Sequence, residues 1–353
     1  VLGLGLIGGS IGLAARRRAR ASVIGYDPDP AVSERALALG TVDSVAGDLP
    51  TAVEGAEAVF VAAPVGALPE VVAAALAAAG EDCVVSDVGS TKLIVQAAGS
   101  DRRFIGGHPL AGAETSGVEH AREDLFDGAT WYLTPVEGGT TGLLYERLHR
   151  LLASLGARPA AIDPETHDRL MARVSHLPHV LANLLVGQAS GLLAPGDGGA
   201  LPAVGPSFRD ATRVAGANTA IWTDIYVSNR DALVAAIDDL VGALGDVRSW
   251  LVQADAGKLA DWNEAARVQR TALVGRGAGG PALRELRVLV PNRPGVVAGI
   301  ALELGRAGIN IADLSVAPSA DNSMGSLSLW VDDDRANAAA EEISGLGYRV
   351  APA

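Results

Sequence analysis

The chain has 353 residues, and its 28 basic against 41 acidic side chains give a formal charge of −13. A net charge of that sign repels phosphate backbones and anionic membrane surfaces, and the short basic run Arg16–Arg20 is too small to offset it, so neither nucleic acid nor membrane is expected as a partner. No continuously apolar run approaches the roughly 20 residues that span a bilayer, and the single cysteine, Cys83, rules out an intrachain disulfide or a multi-cysteine metal site and fits a reducing, cytoplasmic compartment.

The sequence opens without methionine inside an apparent strand, which predicts residues ahead of Val1. Its length predicts two or three domains. From Val1 to about Ile162, short apolar runs at Val23–Tyr26, Ala58–Ala62, Cys83–Asp87 and Phe104–Gly106 alternate with Ala/Leu-rich helical stretches. That alternation predicts a parallel sheet with helices on both faces.

At the start, Gly3-Leu4-Gly5-Leu6-Ile7-Gly8 follows a strand end and opens a helix, and Asp27 closes the next strand about 20 residues later. This is a dinucleotide fingerprint in its required context, and it predicts a Rossmann domain over 1–162. Gly3 permits the tight turn, Gly5 lets the backbone approach a pyrophosphate, and Gly8 lets the helix pack closely, while the helix N-terminus attracts negative charge. Asp27 accepts from ribose hydroxyls and repels a 2′-phosphate, so the expected cofactor is NAD. The expected cofactor-binding residues are Gly3, Gly5, Leu6, Ile7, Gly8, Asp27, Pro64 and Ser90.

Further on, His108 lies in Gly106-Gly107-His108-Pro109-Leu110-Ala111-Gly112, read as a rigid loop at the carboxyl edge of the sheet. Imidazole, with an unperturbed pKa of about 6.5, is suited to taking an alcohol proton near neutral pH. Ser90, in Asp87-Val88-Gly89-Ser90-Thr91-Lys92, is placed to hydrogen-bond both that histidine and a reacting hydroxyl, or to cap the next helix.

Strand signals nearly vanish over 163–274. His167–Gln188, Thr219–Gln253 and Leu259–Thr271 read as helices, with a long loop from Gly191 to Pro206. His176 and His179 fall three apart on a proline-kinked helix, as packed histidines or site groups, without the carboxylate or cysteine pattern of a metal site. Arg213 is suited to gripping a carboxylate, or to an ordinary ion pair with Asp210. Apolar residues on more than one face, in Leu233–Ile237 and Leu240–Leu244, predict either a homodimer core or buried central helices.

Gly/Ala-rich residues from 275 read as a linker, extending to 283. After it, 284–353 reads as βαββαβ, a small ferredoxin-like α+β module: strands at Arg284–Val290, Ile311–Ala317, Ser326–Val331 and Tyr348–Val350, with helices at Gly295–Ala307 and Arg335–Leu346.

Four segments, Gly106–Gly112, Asp87–Lys92, Ser175–His179 and Phe208–Arg213, stand in the order and spacing of the prephenate/arogenate dehydrogenase family of tyrosine biosynthesis, which the chain resembles from Val1 to about Arg270. The C-terminal module, through Val290–Gly295 and Ala307–Ile311, resembles an ACT domain. The implied architecture is a Rossmann domain, an all-α dimerisation domain and an ACT domain. The implied reaction is NAD-dependent oxidative decarboxylation of prephenate to 4-hydroxyphenylpyruvate, or of arogenate to tyrosine. The resemblance makes His108 the base and Ser90 its hydrogen-bonding partner. It makes His179 and Arg213 substrate-site groups, Arg213 as the carboxylate clamp, and matches Glu114 and Trp222 to polar and aromatic positions of the site. It implies an amino-acid effector, nominated as tyrosine with phenylalanine or tryptophan behind it, and the loop backbone around Asn292 and Gly295, with Asn310, offers donors for its carboxylate and acceptors for its ammonium. No metal is expected. Two other readings are a dehydrogenase of the β-hydroxyacid type, whose helix-borne lysine has no counterpart here, and a non-catalytic sensor of NAD and an amino acid.

Overall fold

The structure, a computed structural model, describes residues 1–112, 115–135, 142–191, 204–274, 283–318 and 323–351. Glu114, most of the loop read between Gly191 and Pro206, and residues 275–282 of the linker read over 275–283 lie outside the described residues, and the linker's last residue, Leu283, begins a strand. The chain divides into two compact units, Val1–Gly242 and Ala243–Ala353.

The first unit begins with Leu2, which bridges in parallel to both Tyr26 and Val61. On one side lie β1 (Ile24–Gly25) and β2 (Ser44–Val45), paired in parallel. On the other lie β3 (Ala58–Val61) and β4 (Val84–Asp87), in register from Ala58↔Val84 to Val61↔Asp87, and Val85 then bridges Phe104. In chain order these six segments are arranged 3-2-1-4-5-6, the doubly wound order that opens a ligand crevice beside the first strand. Helices α1 (Leu6–Arg17), α2 (Pro30–Ala38), α3 (Leu49–Val53) and α4 (Leu68–Ala78) connect them. Their starts follow from local chemistry: Asp29 and Asp48 accept from the backbone of Ala31 and Thr51, with Pro30 and Pro50 in the first turn where a missing N–H costs nothing.

Beyond Phe104 the chain continues as β5 (Gly106–Pro109), antiparallel to β6 (Thr130–Thr134), which is parallel to β7 (Arg158–Ala161); α5 (Leu143–Ser154) lies between these last two in sequence. His108 is therefore a strand residue opposite Tyr132, and the loop expected around it starts only after Pro109. The glycines before it serve close packing: a Cβ on Gly107 would lie 2.5 Å from the Asp87 carbonyl oxygen, and one on Gly106 2.3 Å from Thr134 Oγ1. Two apolar clusters hold the sheet, one centred on Leu4, Ile11, Phe126, Trp131 and Leu152, the other on Val59, Val61, Leu68, Val85 and Phe104. Each fully buried side chain of this kind contributes about 1.5–3 kcal/mol.

Next come α6 (Pro164–Met171), capped by Asp163, a π-helical segment at Ala172–His176, and α7 (Leu177–Gly191), so the helix expected from His167 is interrupted by one wider turn. After α8 (Pro206–Thr212), the helix expected over Thr219–Gln253 is two, α9 (Thr219–Ser228) and α10 (Arg230–Val252), parted at Asn229.

The second unit takes in the end of α10, then α11 (Ala256–Val274), β8 (Leu283–Pro291), α12 (Val296–Arg306), β9 (Ile311–Pro318), β10 (Met324–Asp332), α13 (Ala336–Gly345) and β11 (Arg349–Ala351). The sheet is antiparallel in the order β11-β8-β10-β9, the ferredoxin-like arrangement expected from the βαββαβ pattern. Period-2 alternation sends Leu286, Val288 and Val290 of β8 and Leu327, Leu329 and Val331 of β10 to one face, where Ile300, Leu304 and Ile343 of the helices cover them. Among the described residues no helix is long and apolar enough to cross a membrane.

Candidate active site

At the start of α1 the fingerprint glycines are confined by their surroundings. Gly3 has a φ of +91°, and a Cβ there would meet the Ala62 carbonyl oxygen at 2.4 Å; one on Gly8 would collide with the Gly3 carbonyl oxygen at 1.9 Å. Around Gly5 nothing lies within 4 Å of where a Cβ would point, and no side chain caps α1. The helix N-terminus thus faces open space with donors free, which fits a pyrophosphate. Leu6 and Ile7 form the first turn of α1. Asp27, half-buried at the end of the β1 segment, accepts from Leu4 N at 2.8 Å and Asp29 N at 3.0 Å, so its carboxylate is fixed beside the glycine loop. Pro64 precedes a 3-10 turn, Val65–Ala67, whose Gly66 approaches α9 closely: a Cβ there would lie 3.1 Å from Asp224 Oδ2. The loop after β3 and the helix carrying Trp222 therefore meet directly.

Across the sheet edge, β5 carries His108. Its Nδ1 lies 2.9 Å from Nε2 of His167, on α6, and Nδ1 of His167 lies 2.7 Å from Asp168 Oδ1. His167 and Asp168 are both fully buried. Asp168 also accepts from the backbone of Lys92 at 2.8 Å and Leu93 at 2.9 Å. Tyr132 stands edge-on to His167, ring centroids 5.7 Å apart. Beneath His108, the buried Lys92 pairs with the buried Asp87 and donates to the carbonyl of Gly107. Burial and then the charges of His167, Lys92 and His176 hold the His108 imidazolium well below its usual range, so the ring is a neutral base. Ser90 is half-buried after β4 and makes no hydrogen bond to His108, whose Nδ1 is taken by His167 instead.

Asn229, between α9 and α10, donates its amide to the carbonyl of Asp168 at 2.8 Å and meets Nδ1 of the buried His176 at 3.0 Å. Desolvation lowers the His176 pKa to about 4. His176 and His179 share a helix face, as their spacing predicts: His176 is edge-on to Trp222 with centroids 6.1 Å apart, and His179 is stacked on it at 3.4 Å. Burial, and then the nearby charge of Arg213, lowers the pKa of His179. His179, Asn183, Thr219, Trp222, Thr223 and Tyr226 line a cleft of about 240 Å³. It is small, and aromatic and polar side chains share its lining. Among the described residues no cluster of three His, Cys, Asp or Glu side chains is arranged to hold a metal ion.

The structure thus brings His108 together with His167 and Asp168, and His179 with Trp222 and Arg213. Sequence reasoning missed His167, Asp168 and Asn229. The available signal was an adjacent His-Asp pair at the start of a helix among only six histidines. In the ACT-like module, Asn292 follows β8, Gly295 is left-handed at φ +87° ahead of α12, and Asn310 is exposed before β9.

Family models match the chain in three consecutive parts: the prephenate dehydrogenase nucleotide-binding domain over residues 11–160, the prephenate dehydrogenase dimerization domain over 163–264, and the ACT domain over 284–343. A prephenate dehydrogenase of Bacillus subtilis is 35% identical, the match covering 95% of this chain and 93% of that protein. The solved structure of A. aeolicus prephenate dehydrogenase in complex with hydroxyphenyl propionate and NAD+ is 28% identical with a TM-score of 0.69, covering 77% of this chain and 96% of that one. Synechocystis arogenate dehydrogenase is 29% identical with a TM-score of 0.67, covering 76% and 97%. With its open glycine cradle, its neutral, half-buried histidine base and these likenesses, the chain belongs to the prephenate dehydrogenase family of NAD-dependent oxidoreductases.

Proposed function

We propose that this chain oxidatively decarboxylates prephenate to 4-hydroxyphenylpyruvate. The observation that carries this reading is His108, a desolvated neutral imidazole on the strand edge, linked through His167, Asp168, Asn229 and His176 to the aromatic cleft around Trp222. His108 takes the proton of the ring hydroxyl. NAD, when bound, accepts the hydride from the carbon bearing that hydroxyl. Loss of CO2 then sends its electron pair through the ring to the oxygen, and the phenol forms as the proton returns. Aromatisation drives this last step, so the protein's task is to orient the ring and hold its carboxylates. Arg213, close enough to depress His179, is the proposed clamp, with His179 and Trp222 against the ring. Ser90 and Glu114 remain proposed members of the site.

Arogenate is the second reading, favoured by the likeness to the Synechocystis enzyme. The proposed assembly is a cytoplasmic homodimer. Leu184 of α7, Val227 of α9, and Val234 and Val241 of α10 are exposed apolar residues in the region matched by the dimerization model. The ACT domain is proposed to bind tyrosine through Asn292, Gly295 and Asn310. NADH formation assayed with prephenate and with arogenate tests the assignment: turnover with prephenate supports it, turnover with arogenate alone replaces it with the second reading, and none with either removes both.

A further inference from the structure

Three donors surround the carboxylate of Asp168. Lys92 N and Leu93 N both point at its carboxylate, and a backbone amide can only donate. The carboxylate is therefore an acceptor at both oxygens, and the contact at 2.7 Å makes Nδ1 of His167 the third donor. A neutral His167 with its proton on Nδ1 offers only a lone pair at Nε2. The 2.9 Å contact with His108 then requires the proton on Nδ1 of His108. What is left on His108 is an unprotonated Nε2. Two backbone amides thus set, through two imidazoles, which nitrogen of the base is free.

We propose that His167 and Asp168 are positioning residues for this reaction, holding His108 in the tautomer whose Nε2 is the base and offsetting the positive charge that arises on it when it takes the hydroxyl proton. The proton balance is closed: the substrate O–H breaks, the Nε2–H of His108 forms, and the Nδ1–H of His108 strengthens its bond to His167, whose own Nδ1–H leans on Asp168. Without the pair, the two tautomers of this half-buried imidazole compete, and the developing charge meets Lys92 rather than a carboxylate. A purely structural role would need only the shape of these side chains. The polarity of the chain runs the same way at each link.

This inference rests on His108 being the base, and the experiment separates the two. Full-length His167→Leu, His167→Gln and His108→Asn are assayed alongside the wild type. Gln keeps an acceptor for His108 and a donor for Asp168, whereas Leu keeps neither. His167→Leu is expected to lower turnover by roughly 10²–10⁴, the range for a general base or a lost tautomer, with KM for substrate and for NAD little changed. His167→Gln is expected to recover most of that loss. In 15N-histidine-labelled wild type, the His108 resonances, assigned by their absence in His108→Asn, are expected to show Nε2 unprotonated and Nδ1 protonated at neutral pH. Wild-type turnover in His167→Leu, no better turnover in His167→Gln than in His167→Leu, or a protonated Nε2 on His108 overturns the inference while leaving the base intact. Undiminished turnover in His108→Asn overturns the base itself. If His167→Leu fails to fold, the NMR tautomer decides.

Discussion

Lys92 and Asp87 are paired with neither side chain exposed to solvent, and the same ammonium donates to the carbonyl of Gly107, the residue before His108. Asp87 also accepts from Gly89 N at 2.8 Å and Gly107 N at 3.1 Å, so the end of β4 and the start of β5 are tied by one carboxylate and one ammonium. Burial pulls the Lys92 pKa down, and Asp87 works against that.

Lys92→Met should strand the Asp87 carboxylate without its cation. Removing one partner of a buried pair typically costs about 3–5 kcal/mol. Urea unfolding of the variant should show a loss of that size; unchanged stability would mean the pair is dispensable.

His108→Asn should leave the NAD dissociation constant intact and reduce turnover by about 10²–10⁴. In the wild type, the base must be unprotonated to act, and a depressed pKa keeps it so at lower pH. The acid limb of kcat/KM should therefore fall below 6.5, the ordinary histidine value, rather than near neutrality. A limb at or above 6.5 would contradict the desolvated placement of the ring.

Buried His176 makes the fold acid-sensitive. Its pKa is about 4 when folded against 6.5 when exposed, so between those values the unfolded chain binds the extra proton. Stability from this residue is complete above 6.5 and is lost as pH falls toward 4, by up to about 1.4 kcal/mol per pH unit. His108 acts in the same direction, so the comparison must be with His176→Gln. Chemical denaturation across that window should show a shallower pH slope in the variant, and identical slopes would refute the assignment.

Ending the chain after Gly275 should leave an active dehydrogenase that no longer responds to tyrosine. Coupling between an effector site and a catalytic site is typically about 1–3 kcal/mol. Inhibition as strong as in the full chain, and competitive with substrate, would move the tyrosine site to the catalytic cleft.

Much of this was legible in the residues. The glycine fingerprint, Asp27 and the alternation of strands and helices gave the doubly wound unit, because each is a local constraint. The C-terminal sheet came from period-2 runs such as Leu286-Arg287-Val288-Leu289-Val290, which alternate cleanly in the structure. His108 was found as a residue and misplaced as an element. Gly106 and Gly107 read as turn formers, yet they are glycines because Thr134 and the Asp87 backbone press against a strand. The partner of His108 was not legible, since His167 lies 59 positions away and only the tertiary fold joins them. Ser90 was expected as that partner from its place at the end of the preceding strand and from the family resemblance. The break at Asn229 was also hidden: the apolar pattern runs through it, while its amide is occupied with Asp168 and His176.

The π-helical segment at Ala172–His176 sets the phase of everything after it. On an unbroken α-helix, at about 100° per residue, the nine steps from His167 to His176 would leave the two rings on opposite sides. A turn widened by one residue takes back about 100° of that rotation. The single chain segment from α6 to α7 can then serve the proton-accepting strand at one end and the Trp222 aromatic stack at the other. The two halves of the site are thus geared together by one surplus residue, and the helix could lose that residue, keep its hydrogen bonds, and still point its histidines the wrong way.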